Sequence, residues 1–151
     1  MMRAVLPAAA LLVAASPAAA QVRERLLRAE IDRIARKEHG TALPPQARNA
    51  QADLDGDGVH DRLAFFTVEG MHGGNNYQFF LAVQLSASRW RPIVERIGGK
   101  LNRAPDALRV EGRTIVVPMR VWKDTDGGCC PTGKAVARFQ VRNGRIVEID
   151  G

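Results

Sequence analysis

The sequence predicts an α+β fold: one N-terminal helix followed by an antiparallel β-meander of about six to eight strands. Two observations carry this reading. Apolar residues recur with a 3.6-residue period between Val22 and Glu38 and with a period of two in most segments from Leu63 onward. The later segments are joined by turns too short for helical crossovers, which forces antiparallel pairing.

The helix is expected over residues 21–40. Leu27, Ile31, Ile34 and Ala35 fall on one face, while Glu24–Arg28 and Asp32–Arg36 are i,i+4 pairs on the solvated one. Arg36, Lys37 and His39 lie at the negative end of the helix dipole, and Gly40 can take a left-handed stop. Residues 41–50, with Pro44-Pro45, read as a linker to a β domain over residues 51–151.

Leu63, Phe65 and Thr67 alternate with Ala64, Phe66 and Val68, and Tyr77, Phe79, Leu81, Val83 and Leu85 line one side of the next strand. Trp90 to Arg96 and Ala107 to Glu111 are weaker strand signals. Ile115, Val117, Met119 and Val121 alternate again, as do Ala135, Ala137, Phe139 and Val141, and the last strand runs from Arg145 to Ile149. Asn143-Gly144 is a hairpin turn because both residues tolerate positive φ; Glu111-Gly112 and Gly73-Gly74-Asn75-Asn76 are further turns. Pro118 cannot donate to a ladder, so its strand is expected at an edge or to carry a bulge.

Residues 1–20 read as a cleavable secretory signal, with a basic start at Arg3, an apolar run from Ala4 to Ala15, and small residues at Ala18 and Ala20 before cleavage at Gln21. The run is too short to span a membrane and is interrupted by Pro7 and Pro17. The product is expected to be exported, periplasmic or secreted, with no membrane span. The formal charge of the chain is +6, with Lys and Arg scattered and interleaved with acids. That balance leaves open an envelope protein or an anionic envelope polymer as partner and gives no ground for a nucleic acid.

The segment Asp53-Leu54-Asp55-Gly56-Asp57-Gly58-Val59-His60-Asp61 carries the most chemical information. Carboxylates at loop positions 1, 3, 5 and 9 converge on a point, glycine at position 6 permits the sharp turn, and the carbonyl of position 7 adds a neutral oxygen. Four carboxylates so close repel one another unless a cation sits among them. The bland alternative is a solvated Asp/Gly turn between two strands. The loop resembles the first nine residues of an EF-hand and, more closely, the DxDGDGxxD hairpin loop of FG-GAP repeats. The resemblance implies calcium, with Asp53, Asp55, Asp57 and Asp61 as side-chain ligands and Val59 as a backbone ligand. Ala64 stands where an EF-hand places its bidentate Glu, which fits the hairpin version and implies affinity of roughly 10⁻⁵ to 10⁻³ M.

The two cysteines, Cys129 and Cys130, are adjacent in Asp124-Thr125-Asp126-Gly127-Gly128-Cys129-Cys130-Pro131. An oxidising compartment favours their closure into a disulfide, although adjacent Cα atoms lie about 3.8 Å apart, below the usual disulfide range. They form either a loop-stiffening pair or a thiol/disulfide or soft-metal site; a CxxC motif is absent. This run before an Arg-rich final hairpin, downstream of the DGDG loop, resembles segments of LppP/LprE-type lipoproteins. The lipobox cysteine of such proteins is missing, and the resemblance implies no activity.

No HExxH, Walker, GxSxG or dinucleotide glycine pattern occurs, and His39, His60 and His72 have no ligand spacing with the cysteines. No catalytic set is therefore assigned. The sequence favours an exported, non-enzymatic calcium-binding β domain with a structural or binding role. The alternatives are a thiol/disulfide or soft-metal protein and a basic module for an anionic envelope polymer.

Overall fold

The computed structural model describes residues 17–44, 51–86 and 91–149. Helix α1 spans Pro17–Lys37, and ten strands follow: β1 (Thr41–Ala42), β2 (Gln51–Ala52), β3 (Asp61–Glu69), β4 (Tyr77–Gln84), β5 (Ile93–Gly99), β6 (Arg103–Pro105), β7 (Arg109–Glu111), β8 (Thr114–Val121), β9 (Gly133–Arg142) and β10 (Arg145–Ile149). All belong to one antiparallel sheet ordered β1-β3-β4-β5-β6-β8-β9-β10, with β2 also on β3 and β7 also on β8. The α+β class and the meander are as the sequence predicts. The strand number exceeds six to eight because β1, β2, β6 and β7 are only two or three residues long. Pieces that short cannot display a period.

The helix forms where the apolar stripe lies, and it buries Leu27, Ile31, Ile34 and Ala35 as well as Glu30. Arg33 neutralises Glu30 through two hydrogen bonds of 2.6 and 3.0 Å, so the carboxylate lies buried without being unpaired. Glu24 pairs with Arg28 at 3.1 Å, the expected i,i+4 contact, and also reaches Arg62 on β3. The described part of the helix begins at Pro17 and runs through the expected cleavage point; residues 1–16 of the expected signal lie outside the described residues.

The helix end differs from the expectation. The left-handed residue is His39, at φ 52°, and not Gly40. Gly40 is small for another reason: a Cβ there would meet the Glu69 carbonyl at 2.6 Å and Val68 Cγ1 at 2.7 Å. Thr41 and Ala42, expected in the linker, pair with Glu69 and Val68 as β1. Residues 45–50 of that linker lie outside the described residues.

Strand β3 is buried on both faces, which explains why its sequence is nearly continuously apolar. Ala64, Phe66 and Val68 pack with Phe80 and Ala82 beneath the helix. Leu63 and Phe65 point the other way, into a larger core with Leu81, Val83, Ile97, Ile115 and Phe139. That core exists because the sheet curls until β10 lies alongside β5. Arg103 on β6 and Glu148 on β10 close one end of this approach with two 2.6 Å hydrogen bonds.

Pro118 requires a correction. Its strand, β8, is interior, paired to β9 on one side and to β6 and β7 on the other. The Pro118 carbonyl accepts from the Asp106 N–H at 2.9 Å, so its missing donor faces the gap where β6 has ended and β7 has not begun. A break in the neighbouring strand does what an edge would have done. The Asn143-Gly144 turn is as expected, with φ of 52° and 70°.

Candidate metal centre

The acidic loop joins β2 to β3 as a hairpin, with Ala52 opposite Asp61. Its conformation follows from its own side chains. Asp53 accepts N–H groups from Gly56 at 2.6 Å, Asp57 at 3.1 Å and Gly58 at 3.0 Å. Asp55 accepts from Asp57 at 3.2 Å, and Asp57 from Val59 at 2.8 Å. Each carboxylate thus folds the chain ahead of it, in the manner of an Asx turn. Gly58, at loop position 6, takes φ 85°, the left-handed geometry the pattern requires.

Three anchors hold this loop to the body. Leu54 is buried in the larger core. Arg113, in the turn between β7 and β8, donates to the carbonyls of Leu54 and Asp55, and its guanidinium lies where a Cβ on Gly56 would be. Asp61 is the third anchor. Fully buried, it accepts the Leu54 N–H at 2.9 Å on one oxygen and the Ser86 N–H at 2.8 Å on the other. Ser86 in turn donates to the His60 carbonyl and accepts from Arg23 of the helix at 2.8 Å.

Asp53, Asp55 and Asp61 each bring a carboxylate oxygen into one group, all within 4.8 Å of one another. Asp57 stands apart from this group, its carboxylate turned to the Val59 N–H, and Val59 is exposed. Desolvation pushes the Asp61 carboxyl above the usual carboxylate range, the Asp55 and Asp57 charges push the same way, and the Leu54 and Ser86 bonds oppose them. Asp53 moves the other way. Desolvation is the largest single influence and would raise it, but three backbone N–H groups and the Arg113 charge together hold it below the ordinary range.

The donor set is all oxygen and anionic, which suits a hard divalent cation and gives a soft metal nothing to prefer. Sequence reasoning found the carboxylates but missed Ser86 and Arg113. Both act from distant segments, and no local spacing could have marked them.

Cys129 and Cys130 sit at the exposed tip of the loop between β8 and β9, with Cα atoms 3.8 Å apart and the two sulfurs in bonding contact. Asp126 clasps this loop, accepting from Lys123 N at 2.8 Å, Thr132 N at 2.9 Å and Thr132 Oγ1 at 2.8 Å. The Lys123 and Thr132 backbone bonds hold its carboxyl below the ordinary range. Among the histidines, His39 and His72 place their rings 5.1 Å apart on the surface.

A model of the LppP/LprE lipoprotein family matches residues 98–144, about a third of the chain. No curated protein and no solved structure matches it. The matched stretch runs from the end of β5 through β9 and contains the cysteine loop. The acidic loop and the helix lie outside it.

Proposed function

We propose that this chain is an exported, envelope-associated β domain whose acidic hairpin loop holds a calcium ion as a structural staple, leaving the sheet to serve a structural or binding role. Export is supported by the signal-like N-terminus and by the similarity to a lipoprotein family over residues 98–144. Among the described residues no helix is long and apolar enough to cross a membrane.

The observation that carries the calcium reading is the group of Asp53, Asp55 and Asp61 on an anchored loop. A buried carboxylate beside two others is unfavourable until a cation neutralises them. The ion would be held by these three, with Asp57 and the Val59 carbonyl completing the shell after a small loop adjustment. The expected affinity is that of extracellular modules, roughly 10⁻⁵ to 10⁻³ M.

Calorimetric titration of the full chain with Ca²⁺ and then Mg²⁺ tests this directly. One calcium site, weak or no magnesium binding, and loss of the heat in Asp55→Ala are expected. Equal binding by Asp55→Ala would remove the site from the loop.

A second reading, thiol/disulfide exchange or soft-metal capture at Cys129 and Cys130, is favoured by the exposure of that pair at a loop tip. It expects two titratable thiols to appear under mild reductant with the fold intact. A pair that stays unreactive under mild reductant would count against it.

A further inference from the structure

At the end of β3 and β4 remote from the acidic loop, the protein has a second polar concavity of about 530 Å³. Strand β3 is nine residues long, so at a rise of about 3.3 Å per residue the two features lie roughly 25–30 Å apart along it. The cleft opens between the turn after β3 and the turn after β5. Its floor lies at Gly98 and Gly99, both without side chains, and its walls include His72, Tyr77, Gln78, Arg96, Lys100 and Arg103.

The charges there do not cancel. Arg103 is matched by Glu148, and among the described residues Glu38 is the one carboxylate on the lining. Arg96 projects from β5 as an exposed cation. Lys100 is positioned by one hydrogen bond of 2.6 Å to the Asn75 carbonyl, which leaves its other two N–H groups for a ligand. Gln78 also lines the cleft, and its buried amide oxygen has no hydrogen-bond partner among the described residues. Buried polar atoms are rarely left so, and a ligand hydroxyl, which donates and accepts, would satisfy this amide in either orientation.

The two glycines need no ligand to explain them. A Cβ on Gly98 would strike the Arg103 backbone, and one on Gly99 would approach the Tyr77 carbonyl at 3.1 Å. The room their side chains would take is filled by the protein's own chain, so the cleft is defined by its polar rim.

We infer that this cleft is a binding site for a hydroxylated anion, a sugar unit carrying a carboxylate or a phosphate, held by Arg96 and Lys100 through its charge and by Gln78 through a hydroxyl. The assignment is independent of the calcium reading, because no residue is shared between the two features. An anionic envelope polysaccharide presents such units repeatedly, and clefts with a few convergent polar groups are where such ligands bind.

The test uses the full chain in EDTA, so that no cation bridges protein and ligand. Backbone amide spectra are followed during titration with trigalacturonate (carboxylate), glucose 6-phosphate (phosphate) and neutral maltotriose. Saturable shifts centred on Gly98, Gly99 and Lys100 are expected with at least one of the charged sugars, and the better of the two identifies the anion. Maltotriose should leave the spectrum unchanged. Arg96→Ala and Lys100→Ala, both outside the core, should each weaken binding about tenfold, the worth of one charge-assisted hydrogen bond. Gln78→Leu should weaken it severalfold while retaining the charge response. Failure of both charged sugars, equal binding of maltotriose, or affinities unchanged in the Arg96 and Lys100 variants would overturn the proposal. Unchanged affinity in Gln78→Leu would overturn the hydroxyl contact.

Discussion

At the scale of single residues, the acidic loop separates two roles that its sequence makes look alike. Asp55 belongs to the carboxylate group, whereas Asp61 belongs to it and also terminates two buried backbone N–H groups. Asp55→Ala should therefore leave the calcium-free protein nearly as stable as before and remove only the calcium-dependent gain. Asp61→Ala should cost about 2–4 kcal/mol even in EDTA, because it orphans the Leu54 and Ser86 donors. Urea titrations of both variants, with and without Ca²⁺, distinguish these outcomes. Equal losses in EDTA would show that the anchoring role of Asp61 is misread. Asp126 yields a pH prediction. Its folded value lies below its unfolded one, so its stabilisation is present above the unfolded pKa and is lost as pH falls through the folded one. Amide exchange at Thr132 should stay slow down to about pH 3.9, the ordinary aspartate value, and quicken only below it. Quickening already near pH 5 would contradict the clasp.

At the scale of elements, the longer strands and the helix were legible because each sets a repeating face against a core. Val117 and Met119 alternate with Pro118 for that reason, and Leu27, Ile31 and Ile34 mark the helix stripe. What could not be read were contacts between elements. Gly40 carries the signature of a helix stop, yet its size is dictated by Val68 and Glu69, distant in sequence. Pro118 carries the signature of an edge, yet it faces a break between two three-residue strands that leave no periodic trace. The same limit applies to the acidic loop, whose carboxylates were visible in one short segment while Ser86 and Arg113 were not. Gly40→Ala should cost about 1–3 kcal/mol through the clash its Cβ makes. Ile31→Ala should cost about 2–5 kcal/mol if the helix is an integral part of the fold. Urea midpoints measure both, and an Ile31→Ala protein as stable as the parent would mean that the helix packs only loosely on the sheet.

At the scale of the whole molecule, the curl of the sheet is what turns local patterns into a possible function. It brings the turn between β7 and β8, and with it Arg113, over the acidic loop. It also sets Glu148 against Arg103 beside the cleft at the other end. The cysteine loop lies on the stretch shared with the lipoprotein family, so that likeness and the acidic loop are separate facts about the chain. The proposed calcium ion in the loop between β2 and β3 is tested by a thermal melt of residues 21–151. In Ca²⁺ at about a hundred times the dissociation constant found by calorimetry, the folded state should gain about 2.7 kcal/mol relative to EDTA. For a domain of this size that is a rise on the order of ten degrees, absent with Mg²⁺ and lost in Asp55→Ala. An unchanged melting temperature even at about 10 mM, well above the expected affinity range, would contradict the account and reduce Asp53 to Asp61 to a solvated turn.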